Sequence, residues 1–366
     1  MSWSSRGECL SVGVKAHVLF SRLLSIDDYW NFLGSDTVAE IGRKMSDTAY
    51  DDVISTLPAT PHRHDLESTI KNTLFTQAES FLFHMSSPRD TFFRTLMYRH
   101  EADNLKSIFR YIASGRTNRD ELRRRLYMSK NSKISYDNAL AARDFMELSE
   151  VLRGSQYYRV LAEPLRRLHT GEEHSLFPLE MALDLFVELS IYKALKKLEP
   201  SEKNRLMPIF GVRLDLYNIY ILYRAHTFYS LTPEEALNRL LPARFRVTMQ
   251  ALREIVRMED VSQINELLKN RFPQYAGLFS DAMADEHPHL SMERNIKRFI
   301  YTQARRVFGD GPPGFHTAVS YYILKEFEIA DIVRIIEYVR YGHDRRSAAA
   351  YLTRPIVITG GETEWQ

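Results

Sequence analysis

The sequence predicts an all-α protein, and three observations lead to that class. Apolar residues recur at spacings of three and four through nearly every segment, and strict alternation over more than five residues is hard to find. Only 15 Gly and 14 Pro occur in 366 residues, mostly between the periodic stretches, which suits long helices with short connections. The third observation is a repeat. "LESTIKNTLFTQA", "LEMALDLFVEL" and "MERNIKRFIYTQA" place Glu67, Glu180 and Glu293 at intervals of 113 residues (180 − 67 and 293 − 180).

A chain of 366 residues is too long for one hydrophobic core, so several compact units or a tandem repeat are expected. Hydrophobic residues make up 44% and charged residues 26%, an ordinary balance for a folded protein that argues against long disorder. The formal charge of +2 calls for no polyanionic partner.

The leading segment, 1–37, reads as helical. Its start, "MSWSSRGECLSVGVKAHVLF", lacks the apolar run and small-residue cleavage pattern of a secretory signal. No window approaches 18 uncharged apolar residues, so the chain is expected neither to span a bilayer nor to be exported. Cys9 is alone and can form no internal disulfide, which suits the reducing cytoplasm.

Three copies of a helical domain follow, at 38–150, 151–263 and 264–353, with a polar tail at 354–366. Each has a first long helix marked by the glutamate, with an apolar stripe behind it at +3, +7 and +11. The stripes are Ile70, Leu74 and Ala78; Leu183, Val187 and Ile191; and Ile296, Ile300 and Ala304. The glutamates follow Asp65, Pro178 and Ser291 by two, residues that favour a helix start. They are therefore expected in the first turn, where free N–H groups favour an anion.

The second long helix of each copy carries an acid, a polar residue three later and an aliphatic residue next. These are Glu101, Asn104 and Leu105; Asp215, Asn218 and Ile219; Glu328, Asp331 and Ile332. The polar anchors lie 37, 38 and 38 residues after the glutamates (104 − 67, 218 − 180, 331 − 293). Their apolar rows, such as Leu105, Ile108, Phe109 and Ile112, are expected to pack on the stripe of the same copy. The acids sit one turn up that face, at its edge. They are expected as partly buried acceptors for a neighbouring helix or loop, the sharper alternative being one ring of acids that grips a partner. Arg110 and Arg224 stand six residues after each Asn, about 240° round the helix, facing another helix or solvent. Copy three has Glu337 there instead.

Several motifs look like chemistry. "GDGPPG" at 309–314 has the G-x-G-x-x-G spacing, but it joins two helical stretches and holds Pro312 and Pro313, so a helix–helix turn is expected. "HRHD" (His62, His64, Asp65) and "DEHPH" (Asp285, Glu286, His287, His289) hold metal-ligand types without metal-ligand spacing and read as polar turns. The basic run "GRTNRDELRRRLYMSKNSK" reads as a solvated helix face, and with Tyr127 as its one aromatic it makes a poor nucleic-acid platform. "RPIVITGG" is the one stretch that looks extended. No cofactor, metal or catalytic constellation is expected.

With the triplication in place, the sequence resembles the C-type stalk subunits of the A-type/V-type rotary ATPases, whose counterpart in eukaryotic vacuolar enzymes is the d-type subunit. The leading helix is similar through Arg22, Leu23 and Leu24, and "IGRKMSDTAY" through Thr48 and Tyr50. "EADNLKSIFR" and "LDLYNIYILYR" resemble its acid-x-x-Asn-aliphatic helices, and Lys325, Glu326 and Glu328 its closing Lys-Glu-x-Glu. Asp331 departs from the family's usual Asn, and the turn around Pro242 is degraded. The resemblance implies a non-catalytic funnel of three similar helical domains with pseudo-three-fold symmetry. It implies a place on the cytoplasmic face of the membrane rotor ring, receiving the central axle, with peripheral membrane contact and neither nucleic acid nor small-molecule substrate. The alternative from the repeat alone is a stand-alone helical adaptor for proteins or peptides.

Overall fold

The computed structural model describes residues 3–58, 60–115, 118–126, 132–228, 232–258, 261–283, 288–342 and 344–356. Every regular element among them is an α-helix. The chain divides into two compact units, Met1–Ser55 with Glu199–Gln366, and Thr56–Leu198.

The first unit opens with α1 (Trp3–Phe20), α2 (Ile26–Leu33), α3 (Val38–Met45) and α4 (Asp51–Ile54). Ser25 and Asp28 form a reciprocal capping box at the start of α2, and the Thr37 side chain caps α3. The second unit holds α5 (Arg63–Leu82), α6 (Arg89–Ala113), α7 (Arg119–Arg125), α8 (Tyr136–Ala141), α9 (Phe145–Leu152), α10 (Tyr158–Thr170) and α11 (Phe177–Leu195). The chain then returns to the first unit with α12 (Pro200–Phe228), α13 (Pro233–Leu237), α14 (Met249–Ile255), α15 (Val261–Arg271) and α16 (Pro273–Met283). It closes with α17 (Pro288–Phe308), α18 (Phe315–Tyr341) and α19 (Arg345–Tyr351).

In the second unit α6 lies antiparallel to α11. Ion pairs mark the register, with residue numbers rising on one helix as they fall on the other: Arg99 to Glu188 at 3.6 Å, Lys106 to Asp184 at 2.5 Å and Arg110 to Glu180 at 2.9 Å. Beneath them Phe92, Leu105, Ile108 and Phe109 share a buried core with Leu183, Val187 and Ile191. The row behind Asn104 was expected to meet chiefly the stripe of its own copy. Instead α5 stands off behind aromatic rings, Phe81 on Phe93 at 5.7 Å and Phe75 on His100 at 4.8 Å, while the backbone of α6 comes close to the first helix of the next copy. Large rings between two helices hold their axes apart, and smaller aliphatic side chains let them approach.

The same shift recurs in the first unit, where α12 lies against α17. There α18 is buried along most of its length between α17 and α1. Two glycines set the closest approaches. A Cβ on Gly13 of α1 would fall 2.3 Å from the Gly314 nitrogen and 2.6 Å from the Pro313 carbonyl carbon. One on Gly211 of α12 would meet the Phe245 ring at 2.6 Å.

Candidate functional site

The residues that recur in the sequence build buried polar clasps, and the fullest one is centred on Glu328 of α18. Its carboxylate is 4% exposed and accepts three hydrogen bonds, from the Leu24 N–H at 2.6 Å, the Tyr50 hydroxyl at 2.9 Å and the Lys325 ammonium at 2.7 Å. Lys325, equally buried one helical turn earlier, also donates to the Tyr50 oxygen at 2.9 Å, with its Nζ 4.1 Å from the centre of the Tyr50 ring. Burial and the Glu328 charge push the Tyr50 phenol well above its ordinary value, so it stays protonated and donates. Tyr50 is aimed by Thr48, whose Oγ1 donates to the Met45 carbonyl at 2.7 Å and accepts the Tyr50 N–H at 3.2 Å. Leu24, Thr48, Tyr50, Lys325 and Glu328, drawn from three separate motifs of the sequence, thus meet at one point.

One turn further along α18, Asp331 accepts the N–H groups of Thr353 and Arg354, each at 2.8 Å, and the Arg334 guanidinium at 2.5 Å. Arg354 in turn donates to the Leu24 carbonyl, and its guanidinium lies 5.3 Å from the centre of the Tyr29 ring. The start of the chain, α18 and the stretch after α19 are tied through this network. Aspartate can only accept, and two backbone N–H groups with a guanidinium suit it; burial still raises its pKa above the usual carboxylate range.

Asp215 and Asn218 do the equivalent work from α12, and both are fully buried. Asp215 accepts the N–H groups of Phe245 (2.9 Å), Arg246 (2.7 Å) and Val247 (3.2 Å) and the Tyr275 hydroxyl at 3.0 Å. Asn218 accepts the Leu241 N–H at 2.7 Å and donates to the carbonyls of Leu241 and Ala243 at 3.3 and 3.4 Å. An amide is needed there because that loop offers carbonyls as well as an N–H. Asn218→Ala would orphan these buried backbone groups, and chemical denaturation is expected to read a loss of about 1–3 kcal/mol. A loss under about 0.5 kcal/mol would show that water replaces the amide freely.

Glu101 of α6 follows the pattern, accepting the Tyr157 hydroxyl at 2.6 Å and Gln156 Nε2 at 3.1 Å. Asn104 beside it is buried, and the stretch corresponding to the Asn218 loop begins at residue 127, outside the described residues. Each repeated acid therefore accepts a tyrosine hydroxyl, from Tyr157, Tyr275 and Tyr50 in turn. The first two tyrosines come 56 and 60 residues after their acids (157 − 101, 275 − 215), whereas the third is supplied by the beginning of the chain. Each carboxylate points into its own unit and is filled by internal donors.

The repeated glutamates are placed differently from one another. Glu180 lies in the first turn of α11 and takes Arg110 at 2.9 Å. Glu67 and Glu293 lie beyond the first turn, because α5 begins at Arg63, capped by His62, and α17 at Pro288. Asp65 and Ser291, which looked like helix starts, are already inside. Glu67 pairs with Arg63 at 3.4 Å and Glu293 with Lys297 at 2.5 Å. Burial raises the Glu293 pKa, and the charges of Lys297, Arg334 and Arg224 outweigh it and leave the carboxyl below its usual value. Arg110 and Arg224 thus each act on the glutamate of the following copy. Glu293 also lines a groove of about 690 Å³ with Arg294, Lys297, Arg334, Tyr338 and Tyr351.

The "GDGPPG" stretch is the turn between α17 and α18, with Gly311 at φ +79°. Thr317 Oγ1 accepts the Gly314 N–H at 3.1 Å, and the backbone at Gly13 fills the space in front of it, so a phosphate has no room. Arg205 donates to the Asp310 carbonyl at 2.5 Å, and His316 Nε2 lies 3.0 Å from the same oxygen. His316 is 5% exposed, and burial followed by the Arg205 charge lowers its pKa. An unfolded histidine takes up its proton near pH ~6.5, before the folded one does. This group's contribution is therefore complete above that pH and is lost as the pH falls towards the folded value. Thermal unfolding is expected to soften between about pH 7 and 5, with a flatter profile for His316→Gln; equal slopes for the two proteins would refute the assignment.

The histidine pair His62 and His64 sits at the start of α5, and among the described residues no group of three His, Cys, Asp or Glu side chains could hold a metal. Asp285, Glu286 and His287 lie outside the described residues, as do Arg116, Tyr127 and Lys130 of the basic run and residues 357–361 of the stretch expected to be extended. On α7, Arg123 pairs with Asp137 at 2.9 Å and Arg125 with Glu121, a solvated face. No helix among the described residues is long and apolar enough to cross a membrane.

Among the described residues of this all-helical chain, the recurrent acids and amides fasten its own loops and ends. The ATP synthase (C/AC39) subunit family matches residues 13–351, and the chain belongs to that family of V/A-type ATP synthase subunits. Comparison with curated proteins finds no match.

Proposed function

We propose that the chain is a non-catalytic central-stalk subunit of a V/A-type rotary ATPase, joining the central axle to the membrane rotor ring. In this reading it lies on the cytoplasmic side, touches the membrane only peripherally, and has the ring and axle subunits as partners. Its copies, 38–150, 151–263 and 264–353, form three similar domains about a pseudo-three-fold axis, a funnel that receives the axle end. The family match supports the setting. The observation that carries the mechanical part is the acid–tyrosine clasp on Glu101, Asp215 and Glu328. A connector that passes torque must resist shear, and buried, fully satisfied polar groups fix one arrangement of helices where apolar contacts alone allow sliding.

The test is detergent extraction of native membranes followed by affinity recovery of the tagged chain. ATPase subunits and the small ring subunit are expected in the eluate. Recovery without either would refute the reading, and a soluble complex lacking membrane-ATPase components would point to an adaptor.

A further inference from the structure

The second unit ends in a surface to which the stalk reading assigns no partner. The turn between α5 and α6 presents Phe83, at 85% the most exposed large hydrophobic residue of those described, followed by exposed His84 and half-buried Met85. The register of α6 against α11 brings the start of α6 level with the end of α11. Lys193 in the last turn of α11 and Lys196 and Lys197 directly after its end are exposed, three and four residues apart. Phe83 and Lys196 are also one repeat length apart (196 − 83 = 113), each the first residue after its long helix. At this end Arg94 lies 3.8 Å from Asp90, and among the described residues no ion pair engages the three lysines.

The matching turn of copy three, two repeat lengths on at Gly309 (309 − 83 = 226), carries no large apolar side chain at that position. Its far end is covered by the backbone of α1. The same element is thus roofed in one copy, and in the other it is bare and aromatic.

We propose that this end of the second unit binds the surface of a bilayer that contains anionic phospholipid. An exposed phenylalanine on a tight turn gains by entering the acyl boundary, and lysines at the same end are attracted to anionic headgroups. The exposed charge here is net positive, with Lys193, Lys196 and Lys197 against Asp90, which Arg94 faces, and Glu199, and is complementary to an anionic lipid surface; one aromatic side chain on a turn is too narrow a patch for a stable protein interface. The inference rests on the peripheral membrane contact of the stalk reading and names its lipid; vesicle binding by the isolated chain fails or succeeds separately from recovery of ATPase subunits, so the two can be told apart.

Co-sedimentation of the full chain with phosphatidylcholine vesicles, with and without phosphatidylglycerol, tests it. Binding is expected only with phosphatidylglycerol and is expected to weaken as salt rises. Phe83→Ser should weaken it about tenfold, while Phe83→Trp should retain it. Each lysine changed to glutamine should cost about fivefold, so Lys193→Gln, Lys196→Gln and Lys197→Gln together should abolish the preference for anionic vesicles. All four side chains are exposed, and unchanged circular dichroism excludes misfolding as the cause. No preference for anionic vesicles, or Phe83→Ser binding like the parent, overturns the proposal. If Phe83→Ser binds vesicles normally yet no longer co-purifies with ATPase subunits, the surface belongs to a protein partner and the proposal is equally overturned.

Discussion

Lys325→Met is expected to lower the stability of the first unit by about 3–5 kcal/mol, the range for removing one partner of a buried ion pair. The substitution keeps the volume but leaves the Glu328 carboxylate 4% exposed, with only the Leu24 N–H and the Tyr50 hydroxyl to hold its charge. Combining it with Glu328→Gln removes the orphaned charge; the amide oxygen can take the Leu24 N–H and the amide NH2 can donate to the Tyr50 oxygen that Lys325 no longer occupies, so the double variant should regain more than half of the loss. Trp30 lies half-buried on α2 in this unit, and residues 56–198 of the second unit contain no tryptophan. Tryptophan emission during urea unfolding therefore follows the relevant transition even where the two units unfold separately. A loss below about 1 kcal/mol for Lys325→Met would refute the ammonium as a main support of the buried Glu328 carboxylate.

Gly13→Ala is expected to be the most damaging single-methyl substitution in α1. In an open helix the change would stabilise by about 1 kcal/mol. At Gly13 the new carbon would meet backbone atoms at 2.3 and 2.6 Å, and backbone cannot rotate away as a side chain can. Either α1 shifts off the start of α18 or the Pro313–Gly314 turn moves. Overpacking of this kind costs about 1–3 kcal/mol even where surroundings yield, and the lost contact of Val12 and Ala16 adds to it. Gly7, with nothing within 4 Å of its added carbon, is the internal control, and Gly7→Ala should be neutral or slightly stabilising. Hydrogen exchange along α1 reads both variants. Equal protection in Gly13→Ala and the parent would refute the close contact.

Much of the fold was legible in the sequence because helix signals are local. The periodic stripes behind Glu67 and Glu180 are the faces that are buried, and the acid-x-x-Asn pattern marks helix positions that do recur. The acceptor reading of Glu101, Asp215 and Glu328 also follows from residue type, since a carboxylate at the edge of an apolar face needs donors. Their donors were not legible. Tyr50, Tyr157 and Tyr275 lie 107 and 118 residues apart (157 − 50, 275 − 157), which blurs the 113-residue period enough to hide them. The helix starts at Asp65 and Ser291 were read too late, because a good capping residue inside a helix looks the same as one at its end.

The sequence by itself determined the helical class, the triple repeat and the residues that mark each copy, because side-chain spacing along a helix records which face is apolar. Only the tertiary structure decided that Arg110 answers Glu180 of the next copy, that Glu328 closes on Tyr50 far back in the chain, and that Lys325 is interior. An amphipathic pattern says that a face is covered without naming what covers it, and a lysine reads as surface until a buried acid and a tyrosine are found around it.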